Sequence, residues 1–288
     1  MDDAALEKEL EKLQREARRG AGAASTPEAP EAPAPREPAE LPEGFSRQQL
    51  VLCFVAAIVV TVLLPQVSWG RYVLLPLTFL GTWAHEMGHG LTSVLCGGEF
   101  EKLVIYQNLG GTAFTRSPSW ARPLVSAGGL LGPAIAGGFM VWLGARERVA
   151  PKLLAAFALA LWLSLALFVR NLVGVVGVSG LALLLSALAR WGPTLVRVFT
   201  AQLIGIQLCL ASLGTFDYMF TKQFERGGKL INSDTQDIAE AVPLFLPYWF
   251  YGAGIAALSL LILALAFYVG WVRPWRRARP SSSPSGSA

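Results

Sequence analysis

Two histidines stand four residues apart, with a glutamate directly after the first, in the segment His85-Glu86-Met87-Gly88-His89. On an α-helix, side chains four positions apart project from one face at successive turns, so both imidazoles can reach one cation. The glutamate would lie beside that cation, where its carboxylate can take a proton from a bound water. The segment therefore predicts a metal site with His85 and His89 as ligands and Glu86 as the general base.

The spacing is the HExxH pattern typical of zinc-dependent peptidases, and it indicates one Zn²⁺ per chain. The two motif histidines are the only histidines of the chain. The motif lies in a segment from about Tyr72 to Cys96 that is long enough to cross a bilayer as one helix. Ionisable residues inside a membrane are costly unless they are bound or paired. A metal ion explains this segment better than a pair of structural histidines.

The composition predicts a membrane protein rather than a soluble one. Of 288 residues, 53% are hydrophobic and 15% are charged, and the mean hydropathy is +0.46. The net charge of +4 is small and no basic patch with interleaved aromatic residues occurs, so we expect no nucleic-acid partner. Cys53, Cys96 and Cys209 are widely spaced and predict neither a disulfide framework nor a zinc knuckle.

Three regions are predicted along the chain. Residues 1–45 form a charged, proline-rich and disordered tether, cytosolic or otherwise exposed, which begins without a signal peptide. Residues 46–272 form the transmembrane metallopeptidase domain. Residues 273–288 form a basic and then Ser/Pro-rich tail, whose arginines favour a cytoplasmic C-terminus.

The fold class we predict is an all-α polytopic membrane protein with about six to seven transmembrane helices and a small β-hairpin after the metal-binding helix. The expected spans are approximately residues 50–64, 72–96, 124–143, 153–168, 172–188, 196–220 and 244–271. The third span is rich in glycine around Gly132-Pro133, which predicts close packing against the motif helix. Residues 99–115, with Gly110-Gly111 near the middle, predict either a hairpin beside that helix or a plain extramembrane loop.

A third protein ligand is expected, because a catalytic zinc usually has three protein ligands and one open position. No further histidine exists, so we expect a carboxylate. Asp217 is our first choice, because it lies at the edge of an apolar span; it could instead pair with Lys222 or be solvated. Asp234 is the second choice, although its position favours the role of a helix N-cap.

The HExxH motif, the β-rich segment after it and the Gly132-Pro133 span resemble the site-2 protease family of intramembrane zinc metallopeptidases, especially its small bacterial and plant members. The resemblance covers roughly residues 50–271. It implies that His85 and His89 bind zinc and that Glu86 activates the water that hydrolyses a peptide bond within the membrane.

One family signature departs from the expected pattern. Where better-known members have Asn-x-x-Pro-x-x-Pro-x-Asp-Gly with the third ligand, residues 171–180 have glycines for both prolines and Ser179 for the aspartate. A serine hydroxyl is a poor zinc ligand. Either the ligand has moved, with Asp217 preferred, or the metal is bound weakly, or the alignment of this glycine-rich span is accidental.

The function we predict is a zinc-dependent intramembrane endopeptidase that cleaves a transmembrane or juxtamembrane segment of a membrane protein. The alternative is a non-catalytic scaffold or chaperone of the same fold; a transporter is disfavoured because the spans lack further buried charges and repeats. The expected partners are the lipid bilayer and a membrane-protein substrate, and the expected location is a bacterial cell membrane. The sequence gives no indication of the oligomeric state.

Overall fold

The computed structural model describes residues 11–16, 47–214, 221–226, 229–242 and 245–273. Residues 11–16 are helical and exposed, and Arg15 pairs with Glu11 at 3.9 Å. They belong to a separate compact unit, Met1–Pro38, and everything that follows concerns the second unit, Ala39–Ala288. Apart from residues 11–16 and Arg273, the predicted tether and tail lie outside the described residues.

The second unit is built mainly from helices. They are α1 (Arg47–Leu63), α2 (Leu75–Leu95), α3 (Arg122–Gly144), α4 (Ala150–Leu167), α5 (Leu172–Trp191), α6 (Thr194–Gly214), α7 (Asp234–Ala241) and α8 (Tyr248–Phe267), with one-turn helices at Leu64–Gln66, Gly70–Val73 and Ser119–Ala121 and a π-turn at Tyr268–Val272. The strands are β1 (Glu99–Ile105), β2 (Gly111–Arg116), β3 (Gln223–Arg226) and β4 (Lys229–Asn232).

Local sequence explains where the motif helix α2 begins and ends. Pro76 stands in its first turn, where the missing N–H leaves no intrahelical hydrogen bond unmade. At the other end Gly97 has a φ of +80°, a conformation that glycine adopts without steric cost. The N–H of Gly98 then donates to the carbonyl of Ser93 at 2.9 Å and closes the last turn. The chain therefore turns sharply from α2 into β1.

Six helices within the described part of the chain are long and apolar enough to cross a membrane. They are Gln48–Gln66, Ser119–Gly144, Ala150–Leu167, Leu172–Trp191, Thr194–Ala211 and Tyr248–Val272. The predicted all-α polytopic fold with about six to seven such helices is confirmed. Residues 215–220, which we expected to extend the sixth span, lie outside the described residues.

The motif helix α2 is not one of these six helices, although its 21 residues are long enough. The polar residues of the motif lower the mean hydropathy of α2, so the predicted span over residues 72–96 is not among the six and stays a prediction. Helix α2 packs against α3, α5, α6 and the β1–β2 hairpin. Neighbouring protein therefore surrounds much of α2, and its polar residues can lie against other parts of the chain.

The segment after α2 is a hairpin rather than a plain loop. Strands β1 and β2 pair antiparallel, from Glu99 opposite Arg116 to Ile105 opposite Gly111, with one irregularity between Phe100 and Lys102. The outer edge of β1 is covered by the connection between α4 and α5. There the side-chain amide of Asn171 accepts from the Ile105 N–H at 3.2 Å and donates to the Ile105 carbonyl at 2.6 Å.

Glycines bring α2 and α3 into close contact, as the sequence predicted. A Cβ on Gly88 would overlap the carbonyl of Gly128, and one on Gly128 would overlap the side chain of Thr92. A Cβ on Gly132 would lie 3.1 Å from the Cα of Gly88. Small residues thus let the two backbones touch at the level of the motif.

The polar region between α6 and α8 carries structure that matters for the site. Strands β3 and β4 form a second antiparallel hairpin, from Gln223 opposite Asn232 to Arg226 opposite Lys229. The short helix α7 follows and packs on α3 and α8, where Ile238 joins a buried apolar cluster with Leu130 and Ile255. This packing places α7 against α3, the helix that also contacts the motif helix.

Candidate metal centre

The two motif histidines project from adjacent turns of α2 and meet at their Nε2 atoms. Nε2 of His85 lies 3.0 Å from Nε2 of His89, and the two rings stand almost perpendicular, at 88°. Both side chains are only partly exposed and line one cavity. The spacing of four residues has therefore brought two nitrogen ligands to one point, as the sequence predicted.

Asp234, the first residue of α7, completes the group. One of its carboxylate oxygens, Oδ2, lies 3.3 Å from Nε2 of His85 and 3.4 Å from Nε2 of His89. Among the described residues, these three form the one group of His, Cys, Asp or Glu side chains whose ligand atoms all lie within 4.8 Å of one another.

The role expected for Asp234 as a helix N-cap belongs instead to its neighbour. Ser233 is the N-cap of α7, and its Oγ accepts from the N–H of Gln236 at 3.3 Å. The Asp234 carboxylate itself faces the histidines. Burial alone would raise the pKa of the Asp234 carboxyl. The neighbouring His89 and His85 lower it by more than burial raises it, so the pKa lies below its ordinary range. The Asp234 carboxyl is therefore an anion that faces the two imidazoles.

The other two positions weighed for the third ligand have different outcomes. Asp217 lies in residues 215–220, outside the described residues, so its role as a ligand stays a prediction. Ser179 lies on α5, where its Oγ donates to the Val176 carbonyl of its own helix at 3.1 Å, and it is not among the residues that line the cavity. The position matched to the family's aspartate therefore does not approach the histidines.

His89 is oriented from behind by α3. Its Nδ1 donates to the carbonyl of Val125 at 2.9 Å, which requires the proton on Nδ1 and leaves the lone pair of Nε2 for a metal. Gly129 lies one turn further along α3, and a Cβ there would overlap the imidazole of His89. One turn of α3 thus provides both a hydrogen-bond acceptor and the space for the ring.

The side chain of Glu86 points towards the β1–β2 hairpin. It is buried, and its Oε2 accepts from the N–H of Ala113 at 2.6 Å. The hairpin is also tied to α2 by Thr82, whose hydroxyl donates to the Leu109 carbonyl at 2.7 Å. A Cβ on Gly111 would stand 2.6 Å from Oε1 of Glu86, so this carboxylate oxygen lies directly against the glycine. Strand β2 therefore fixes the position of the Glu86 carboxylate.

A cavity of about 920 Å³ opens over these groups. His85, Glu86, His89 and Asp234 line it, together with residues 108–113 of the hairpin and its turn. Its size is within the range that holds a drug-sized ligand or a few residues of peptide. The two histidines, the carboxylates of Glu86 and Asp234 and strand β2 thus line one cavity.

The donor atoms suit zinc. In a tetrahedral site with bonds of about 2.0–2.1 Å to nitrogen and oxygen, neighbouring ligand atoms lie roughly 3.3 Å apart. The three separations here are 3.0, 3.3 and 3.4 Å. Two imidazole nitrogens and one carboxylate oxygen would leave the fourth position open for water, as in catalytic zinc sites.

The sequence analysis ranked Asp234 second, behind Asp217, because it sought acids within or at the edge of apolar spans. The signal that could have indicated it is the order of a short polar hairpin, a capping serine and an acid at the start of an amphipathic helix in Asn232-Ser233-Asp234.

A protein-family model described as Peptidase M50B-like matches residues 51–266. No curated protein and no solved structure matches the chain. The matched range contains both histidines of the motif, Glu86 and Asp234.

Proposed function

The chain belongs to the Peptidase M50B-like family, and from this membership and the geometry of the site we propose that it is a zinc-dependent intramembrane endopeptidase. Its family and its six apolar helices make it a multi-pass membrane protein of a peptidase family. The observation that carries the proposal is the convergence of His85, His89 and Asp234 beside the buried carboxylate of Glu86. The location in a bacterial cell membrane rests on the resemblance to small bacterial members and stays a prediction.

His85, His89 and Asp234 would hold one zinc ion, and Asp217 remains the ligand that the sequence alone favoured. Bound there, zinc would supply a Lewis acid and lower the pKa of a water ligand. The hydrogen bond from His89 to Val125 keeps one imidazole in the tautomer that can bind. This arrangement supports a catalytic rather than a closed structural site, because the cavity leaves room for water and peptide.

Glu86 would act as the general base and then as the acid. Its Oε2 is engaged by the Ala113 N–H, so Oε1 is the oxygen available to accept a proton from the attacking water. The same oxygen can return that proton to the amine of the departing peptide. Because the carboxylate is buried, its interactions are less screened than they would be in bulk water.

The substrate we propose is an extended transmembrane or juxtamembrane segment of another membrane protein. Helical peptide bonds are protected by their own hydrogen bonds, so the segment must unwind before a carbonyl can be attacked. Strand β2 lines the cavity along the edge that does not pair with β1, where Glu86 engages the Ala113 N–H. We expect an extended substrate to lie along this edge, which would place its backbone beside Glu86.

The alternative of a non-catalytic scaffold was motivated by Ser179 at the expected ligand position. The carboxylate of Asp234 beside both histidines removes that motivation, and nothing in the site favours the alternative.

The test uses the full chain reconstituted in lipid vesicles with a panel of single-span membrane segments fused to a reporter. Cleavage is detected by mass spectrometry, and zinc content is measured on the same samples. We expect cleavage by the wild type and a loss of about 100-fold or more in Glu86→Gln, because general-base catalysis contributes about 10²–10⁴. The glutamine keeps an oxygen for the Ala113 N–H, so zinc content should not change. Equal cleavage by the two proteins would refute the mechanism.

A further inference from the structure

The first turn of α3 contacts the site twice. Val125 accepts the hydrogen bond from His89, as described above. One turn earlier, Arg122 donates from its guanidinium to Oδ1 of Asp237 on α7, at 2.6 Å. Asp237 lies one turn after Asp234, so the ion pair joins α3 to the helix that carries the carboxylate ligand. Both partners of the ion pair line the active-site cavity.

The position of Arg122 is unfavourable for α3 itself. It is the first residue of the helix, where the exposed N–H groups carry partial positive charge and a cation is disfavoured. Asp237, in contrast, lies in the first turn of α7, where an anion is favoured. The N-terminus of α3 therefore does not stabilise the positive charge of Arg122. Asp237 on α7 stabilises it instead.

Asp237 also forms hydrogen bonds with residues other than Arg122. The amide of Asn232 donates to the same Oδ1 at 3.3 Å and to Oε2 of Glu240 at 3.0 Å. The Asp237 N–H donates to the Ser233 carbonyl at 2.9 Å. The carboxylate therefore has a fixed orientation when Arg122 meets it, which reduces the entropy lost in forming the ion pair.

We infer that the Arg122–Asp237 ion pair holds the carboxylate of Asp234 at its short distance from the two histidines. Helix α7 has only eight residues, and its apolar contact with α3 and α8 centres on Ile238. The ion pair fixes the rotation of this short helix about its axis. Asp234 lies one turn before Asp237, so a small rotation of α7 would move its carboxylate away from the imidazoles. Arg122 and Asp237 are positioning residues and not ligands.

This inference rests on the proposed zinc site, and its test is the zinc affinity of the purified full chain in lipid nanodiscs, measured by competition with a chromophoric chelator. We expect Arg122→Ala and Asp237→Asn each to weaken zinc binding by about 5-fold, the upper range for a partly exposed ion pair. Arg122→Lys should retain most of the affinity. The double variant should be no weaker than either single variant, because both remove the same contact.

A different pattern is expected if Arg122 and Asp237 affect zinc binding only through the long-range electrostatic effect of their charges on the ion. Removing the cation of Arg122 would then strengthen zinc binding, removing the anion of Asp237 would weaken it, and the double variant would resemble the wild type. That pattern would overturn the inference. In a background of Asp234→Ala, Arg122→Ala should have no further effect on zinc affinity, because the ligand that it positions is absent. A persisting 5-fold effect in that background would also overturn it.

Arg116→Ala is the matched control, since Arg116 forms ion pairs with Glu99 and Glu101 on the exposed face of the hairpin. It should leave zinc affinity unchanged. Folding is checked by size-exclusion elution and thermal unfolding. Loss of folded protein in both single variants would overturn the inference, because the ion pair would then support the fold. Absence of zinc binding in the wild type would instead refute the proposed function.

Discussion

Gly129 of α3 lies directly beneath the imidazole of His89, so close that a Cβ on the glycine would overlap the ring atoms Cε1 and Nε2. The same ring is held at Nδ1 by the carbonyl of Val125. The position of one metal ligand is thus determined by the absence of a side chain on the neighbouring helix. The glycines of α3 are part of the site as well as of the helix packing.

We expect Gly129→Ala to lower zinc affinity by at least 10-fold and to destabilise the protein by about 1–3 kcal/mol. The added methyl group would push the His89 ring away from Asp234 or separate α2 from α3, and overpacking of this kind has about that cost. Zinc titration and thermal unfolding measure the two effects.

Gly180→Ala on α5 is the control, because a Cβ at that position would meet nothing within 4 Å. It should keep zinc affinity and be neutral or slightly stabilising, since alanine is the better helix former. Equal behaviour of the two variants would contradict the role assigned to Gly129.

The identity of the third ligand is tested by measuring zinc affinity for Asp234→Ala, Asp217→Ala and His85→Ala side by side. We expect losses above about 100-fold for Asp234→Ala and His85→Ala, since even the partners behind metal ligands contribute about 10- to 100-fold. Asp217→Ala should retain the affinity. Loss in Asp217→Ala with retention in Asp234→Ala would instead support the ligand that the sequence favoured.

Gly111→Ala should reduce cleavage by at least about 10-fold and leave zinc content unchanged. The new Cβ would stand 2.5 Å from Cγ and 2.6 Å from Oε1 of Glu86, so the general base must move while the ligands do not. Kinetics in vesicles with zinc analysis separate these effects. Gly110→Ala is the neighbouring control, because its Cβ would meet only the Asn108 side chain, at 3.2 Å. Loss of zinc in Gly111→Ala would contradict this explanation.

Asn171→Ala should loosen the hairpin without changing the ligands. It removes the two hydrogen bonds that the amide makes to the backbone of Ile105. Leaving such groups unpaired costs about 1–3 kcal/mol each when they are buried. We expect faster amide hydrogen exchange over residues 99–105 and a lower unfolding temperature.

Asn108→Ala serves as the comparison for Asn171→Ala, since Asn108 makes an exposed hydrogen bond to the Gly110 N–H. Its effect on exchange in β1 should be small. Similar exchange in both variants would show that Asn171 does not secure the strand.

The sequence was sufficient for the apolar helices and for the mutual placement of His85, Glu86 and His89, because both depend on local spacing. It left open whether residues 99–115 form a hairpin or a plain loop. His85, Glu86 and His89 share one helix, so their relation follows from 3.6 residues per turn. Asp234 could not be assigned in the same way. Its burial depends on how α7 packs against α3 and α8, which is a tertiary property of a short polar helix.

The order of these elements along the chain has a consequence for biosynthesis. Helix α2, with both imidazoles and Glu86, is made early, whereas Asp234 is translated only after helices α1 to α6. A nascent chain that has not yet extended through α7 carries two nitrogen ligands and no partner carboxylate from that helix. Under the proposed function, hydrolytic competence would therefore arise only after Asp234 has been made, and shorter nascent chains would be inactive.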